Sequence, residues 1–169
     1  MPRPLPGTFP PYFENYTRQV AEDDLTLAFE NQQQVIDRFF DSISEEKSNE
    51  AYAPGKWTIK ELLQHVTDTE RIFNYRALAI ARGEQASLPG FEEDDYAVAS
   101  QANHRSWKSL CDELKAVRAS TRFLFDSLTN EMLDRSGISN NKPVTPLALG
   151  FITVGHLYHH KKVLEERYM

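Results

Sequence analysis

Between Trp107 and Leu128 the chain carries Trp107, Leu110, Leu114, Val117, Thr121, Leu124 and Leu128 at alternating steps of three and four. That interval lines side chains up along one face of an α-helix. A helix with a single seam of this length must be covered by other helices that present matching seams. The rest of the chain supplies three. From about Asp23 to Ser44 the apolar positions are Leu25, Phe29, Ile36, Phe39 and Ile43, flanked by Val35 and Phe40, and Gln32 interrupts the stripe on its inner side. A break at Pro54-Gly55 precedes a strong helix start: Thr58 is an N-cap, Glu61 completes a capping box and Trp57 can staple against Leu62. This second helix is predicted to run to about Arg82, where Gly83 ends it. The third spans about Asn103 to Leu128. The last opens with Thr145 as N-cap and Pro146 at the first helical position.

There is no convincing strand run and no internal repeat, so the expected fold is all-α: a four-helix bundle forming one domain over residues 1–169. The second and third connections are longer than a minimal bundle needs, which predicts extra short helices there. "SLPGFEEDDY" reads as a loop entering an acidic turn, and "NEMLDRSGISNNKPV" as a connection with a short helical turn. The Pro/Gly-rich start, to about Pro11, is an arm that cannot be regular helix.

The formal charge is −6, and the 19 Lys and Arg are scattered rather than clustered, so nucleic acid is not an expected partner. A single cysteine, Cys111, excludes an internal disulfide and any cysteine-rich metal cage. No apolar run reaches membrane-spanning length and no hydrophobic leader is visible, so the expected location is the cytoplasm.

Three of the five histidines fall in "GHLYHHKKV", in the last helix. On a helical wheel at roughly 100° per residue, His156 and His160 share a side with Leu149, Ile152, Thr153, Val163 and Leu164. Lys161, Lys162 and Glu165 lie largely opposite, and His159 falls at the edge of the stripe. In the second helix His65 clusters with Leu62, Thr69, Ile72 and Arg76. Any one such histidine reads most simply as a core residue with its own hydrogen-bond partner. Three from two helices make a shared cation the more economical reading, because one ion satisfies all three. His104 reads as a surface or capping residue.

"KWTIKELLQHVTDTERIFNYRALAIARGE", "LPGFEEDDYA" and "GHLYHHKKVLEERY", in that order, resemble the DinB-like superfamily, which includes thiol S-transferases such as bacillithiol transferases and proteins described as metal-dependent hydrolases. The resemblance runs from about Tyr52 to the C-terminus. It implies a four-helix bundle of DinB/YfiT-like type and a divalent metal, zinc or nickel, on His65, His156 and His160. It also implies a homodimer.

Three neutral imidazoles without a fourth protein ligand leave coordination positions open, the pattern of a catalytic site. Such a site suits hydrolysis through bound water, or transfer of a low-molecular-weight thiol to an electrophile; the ligand set does not exclude iron or manganese. The alternative is a non-catalytic, dimeric metal- or ligand-binding bundle with a stress-related role. Around the histidines, Arg76 is a candidate clamp for a substrate carboxylate or phosphate, or else a surface ion-pair partner. Asp68 is either an acceptor that orients an imidazole or a solvated acid. Gln32 either caps the cavity floor or pairs with an interior group such as Thr69. Glu92 or Glu93 offers a general base if the acidic segment closes over the site, and a solvated loop otherwise. Cys111, beside the inner seam of the third helix, reads as a buried inert thiol.

Overall fold

The computed structural model describes all of residues 1–169. In chain order it contains helices α1 (Glu14–Thr17), α2 (Leu25–Asp41), α3 (Glu45–Ser48), α4 (Ile59–Ala81), α5 (Glu93–Ser100), α6 (Trp107–Asp126) and α7 (Asn130–Leu133). A hairpin of β1 (Gly137–Ser139) and β2 (Lys142–Val144) follows, and then α8 (Pro146–Arg167). The long helices α2, α4, α6 and α8 form the expected four-helix bundle, with α4 packed along both α6 and α8. No helix is long and apolar enough to cross a membrane.

The helix starts follow local chemistry. Thr58 accepts a hydrogen bond from the Glu61 amide while the Glu61 carboxylate accepts one from the Thr58 amide, so the α4 capping box is complete. Gly83, at φ 95°, ends the helix. Thr145 caps α8 with Pro146 in its first turn. The third long helix starts later than its pattern predicts, because Ser106 accepts from the Ser109 amide and Ala102–His104 form a separate 3-10 turn. Its inner seam is also rotated. Arg118 and Phe125 are buried, whereas Val117 and Leu124 are only half-buried.

The connection after α7 holds antiparallel strands where none is predicted. Asn140 and Asn141, at φ 48° and 58°, form the two-residue turn, a conformation asparagine tolerates better than most residues. Ser139 bridges to Leu88, whose amide donates to the Ile138 carbonyl at 2.9 Å. The hairpin thus holds the loop that precedes α5 against the bundle.

The N-terminal arm is docked rather than extended into solvent. The Met1 amino group pairs with Asp24, Arg3 donates to the carbonyls of Thr17 and Val20, and Phe9, Phe13 and Tyr16 pack on the core. Gly155 makes that approach possible, because a Cβ there would overlap the Tyr16 carbonyl.

The core has two apolar halves. One gathers Leu25, Phe29, Phe73, Ile80, Phe125 and Phe151; the other gathers Ile36, Phe40, Leu63, Trp107, Leu114 and Leu164. Between them each long helix contributes buried polar residues: Gln32 from α2, Thr69 and Glu70 from α4, Arg118 and Thr121 from α6, His156 from α8. Buried polar groups must find partners or cost free energy. The layer meets that demand in two different ways.

Candidate metal centre

His65 projects from α4, and His156 and His160, one turn apart, from α8. Their nitrogens converge. His156 Nε2 lies 3.2 Å from His65 Nε2 and 3.0 Å from His160 Nε2, and the three donor atoms all fall within 4.8 Å of one another. The rings are held by packing: Trp57 lies tilted against His65 with ring centroids 4.8 Å apart, and Tyr16 stands edge-on to His156 at 5.3 Å. His159 stays at the rim, 5.3 Å from Tyr16. His104 lies apart in its 3-10 turn.

Burial keeps the imidazoles neutral. It pushes the His65 pKa down to about 4, with Asp94 opposing the shift, and it holds His156 and His160 well below the ordinary histidine value, helped by their neighbouring rings. Each neutral ring offers one lone pair, and hydrogen bonds among themselves cannot use all three. A tetrahedral zinc-type ion bound at 2.0–2.1 Å would space its nitrogen ligands by about 3.3 Å. His156 lies at close to that spacing from each of the other two, and the third pair is within 4.8 Å, so the donor set can converge on a divalent cation. His160 Nδ1 is buried without an acceptor, so its ring lacks the second hydrogen bond that usually orients a ligating histidine.

Two cavities flank the cluster and share no lining residue. The first, about 350 Å³, reaches His65 and His156 and is walled by Phe13, Tyr16, Phe73 and Phe91. The second, about 280 Å³, reaches His160 and is walled by Tyr52, Trp57, Leu62 and Tyr168. Consecutive acids at the start of α5 divide between them, Glu93 lining the first and Asp94 the second. The Glu93 carboxylate comes to 4.0 Å from His65 Nε2. Glu92 occupies the α5 N-cap position and lines neither cavity.

The other candidates separate. Thr69 and Arg76 line the first cavity; the Thr69 hydroxyl is buried with no partner, and Arg76 Nη2 donates to the Pro89 carbonyl at 2.7 Å. Asp68 does not orient an imidazole, since its carboxylate accepts from Gln64 at 2.9 Å and Arg71 at 3.2 Å. Gln32 neither floors the cavity nor meets Thr69. It donates to the Val154 carbonyl at 2.7 Å and accepts from Arg118. Arg118, not among the sequence candidates, is fully buried and grips both oxygens of Glu70, at 2.8 and 2.9 Å. Thr121 adds a hydrogen bond to Glu70 at 2.6 Å. Cys111 is buried, and burial pushes its thiol up to about 12, which disfavours the reactive thiolate.

Residues 28–164 match the family model of the DinB superfamily. The chain belongs to the DinB superfamily. Among its relatives, a protein of Oceanobacillus iheyensis named "Putative metal-dependent hydrolase OB0413" is 25% identical over 95 residues, which is 56% of this chain and 54% of that protein. The matched region thus spans about half the length of that curated relative. Among solved structures the DinB bundle aligns with YfiT from Bacillus subtilis, described as "a probable metal-dependent hydrolase with an unusual four-helix bundle topology". The TM-score is 0.72 at 13% identity, over 97% of this chain and 90% of that one. It also aligns with the mycothiol-dependent maleylpyruvate isomerase, with a TM-score of 0.65 at 12% identity, over 89% of this chain and 59% of that one. At these identities the likeness is one of fold.

Proposed function

We propose that this DinB-superfamily chain is a metal-dependent enzyme that transfers a low-molecular-weight thiol to a small electrophile, with His65, His156 and His160 holding a divalent cation, zinc or nickel. The observation that carries the reading is the cluster's position between two separate cavities. A transfer reaction needs places for two reactants, each within reach of one centre. The solved mycothiol-dependent isomerase of similar fold supports a thiol as one of them.

A bound divalent ion would act as a Lewis acid that favours thiolate over thiol. The chain's own residues do the rest. Glu93, exposed on its outer side and 4.0 Å from His65 Nε2, is placed to accept the proton that the thiol loses and to pass it to water. The aromatic walls hold the electrophile beside the centre; sulfur bonds to its electrophilic carbon, and the leaving group departs with the bonding pair. Hydrolysis is the second reading, favoured by the names of the Oceanobacillus relative and of YfiT, with water in place of the thiol and Glu93 in the same role.

The test starts from untagged protein never exposed to chelating resin, compared with His160→Ala. Metal content is measured alongside conjugation of monochlorobimane to cysteine, glutathione, bacillithiol and mycothiol. Near-stoichiometric metal and conjugation in the wild type, both lost in the variant, is the expected result. Metal-dependent hydrolysis of p-nitrophenyl acetate without thiol would select the second reading. Metal binding with neither reaction would make the chain a metal-binding module, and no metal under any loading would end the metalloenzyme reading.

A further inference from the structure

Three cationic side chains are buried in this molecule, and two have carboxylate partners: Lys60 meets Glu45 at 2.5 Å and Arg118 meets Glu70 at 2.8 Å. Arg76, only 6% exposed, has none. Its single hydrogen bond, to the Pro89 carbonyl, leaves the other N–H groups of the guanidinium without a protein partner, where Arg76 lines both the first cavity and a smaller one of about 190 Å³ that lacks any histidine. A buried, unpaired charge is costly, so it marks a place where a counter-ion is to be supplied from outside. A second group in the first cavity points the same way. Thr69 is 3% exposed, and its hydroxyl is buried with no hydrogen-bond partner.

We infer that Arg76 and Thr69 form a carboxylate-recognition subsite, so that the molecule bound in the larger cavity is a small monocarboxylate with an aromatic or apolar body and its reactive end towards the histidines. The inference rests on the enzyme reading above for the reaction and on the cavity alone for the binding. Phe73 links the two ends: its ring lies 5.9 Å from the Arg76 guanidinium carbon and 6.0 Å from the His156 ring, which limits the separation of cation and imidazole to about 12 Å. A molecule of one ring and a short chain spans that distance, and the cavity volume of about 350 Å³ accommodates it. Charge selects the carboxylate over a phosphate. The cavity offers one guanidinium, already partly committed to Pro89, and it also contains Glu93, so a dianion meets too few donors and a repelling acid.

The probe pair is 3-phenylpropionate and its neutral amide, 3-phenylpropanamide, titrated calorimetrically into wild-type protein with and without chelator. The acid is expected to bind at least about tenfold more tightly than the amide, the worth of one charge-assisted contact. Arg76→Gln should remove that preference and leave amide binding unchanged. Arg76→Lys should retain part of it, since ammonium keeps the charge but loses the planar fork. Thr69→Val should weaken the acid alone. Thermal unfolding of each variant confirms that it is folded, and Arg76→Lys carries the test if Arg76→Gln is not. Metal removal by chelation or His160→Ala should leave acid binding nearly unchanged, so failure of the metal reading shows as lost metal with retained acid preference. Equal binding of acid and amide, no acid binding at millimolar concentration, acid binding lost on chelation but kept in Arg76→Gln, or tighter binding of phenyl phosphate would each overturn the assignment.

Discussion

Two polar clusters interrupt the same hydrophobic core within two turns of α4, and they resolve the cost of burial in opposite ways. Around Glu70 both charges are answered: Arg118 takes both carboxylate oxygens, Gln32 ties Arg118 to the α8 backbone, and Thr121 and the Asn74 Nδ2 extend the chain of hydrogen bonds, leaving only the Asn74 Oδ1 at its end without a partner. Around His65 the nitrogens face one another, the Thr69 and His160 atoms lack partners, and two cavities open alongside. A closed network can only hold helices together. An open one has chemistry left to offer, and that contrast identifies the site more securely than burial or polarity, which the two clusters share.

The comparison breaks most visibly when the closed network is cut. Glu70→Ala strands the Arg118 guanidinium in the core, and breaking a buried pair in this way typically costs about 3–5 kcal/mol. Urea unfolding should register that loss, whereas the metal content of the folded fraction should not change. Replacing both partners together, Glu70→Leu with Arg118→Met, should recover most of the stability, because no unpaired charge remains. If Glu70→Ala costs under about 1 kcal/mol, comparable to an exposed ion pair, the network does not clamp the helices.

The open cluster should instead respond to pH. His65 has a folded pKa near 4, below the ordinary value of 6.5, so the unfolded chain binds protons more readily than the native one between those values. In metal-free protein, stability should therefore fall as pH drops from about 6.5 towards 4. The contribution of His65 alone is on the order of 3 kcal/mol at full extent. Unfolding of chelated wild type and His65→Gln at stepped pH gives the difference. The variant should show the shallower slope across that window, and parallel slopes would mean that the ring is not buried in its neutral form.

What could be read in the sequence, and what could not, follows the range of the forces involved. The α4 capping box, the Thr145-Pro146 start and the inward face of His156 and His160 depend on residues three or four apart, so a wheel and a capping rule suffice to find them. The resemblance that names the family rests on the same segments. Arg118 was hidden because charged residues are almost never fully buried, although its spacing of four from Leu114 already places it on the seam. The contributions of Tyr16 and Asn140 to the first cavity depend on long-range docking: Gly155 admits the N-terminal arm, and an Asn-Asn turn brings a hairpin against the loop at Leu88. Neither leaves a periodic trace. Gln32 shows the limit most plainly, since its polarity inside an apolar stripe was legible but its partner, on another helix, was not.

The sharpest form of the comparison makes the same substitution in both clusters. Thr121→Val removes a hydroxyl that donates to Glu70 and accepts from Asn74 Nδ2, at 2.6 and 2.7 Å, and so leaves the buried Glu70 carboxylate and the half-buried Asn74 amide each short of a partner. The expected cost is about 1–3 kcal/mol. Thr69→Val removes a buried hydroxyl that bonds to nothing, while keeping nearly the same shape. Its expected effect on stability is zero or a gain of a few tenths of a kcal/mol, since no partner is orphaned and a desolvated group is lost. Paired urea titrations decide it. Equal losses at the two positions would mean that the Thr69 hydroxyl is satisfied in the folded protein, and the open cluster would then lose the feature that separates it from the closed one. A loss at Thr121 alone would mean that the molecule tolerates an unsatisfied hydroxyl facing the first cavity, which is costly to keep unless something bound there uses it.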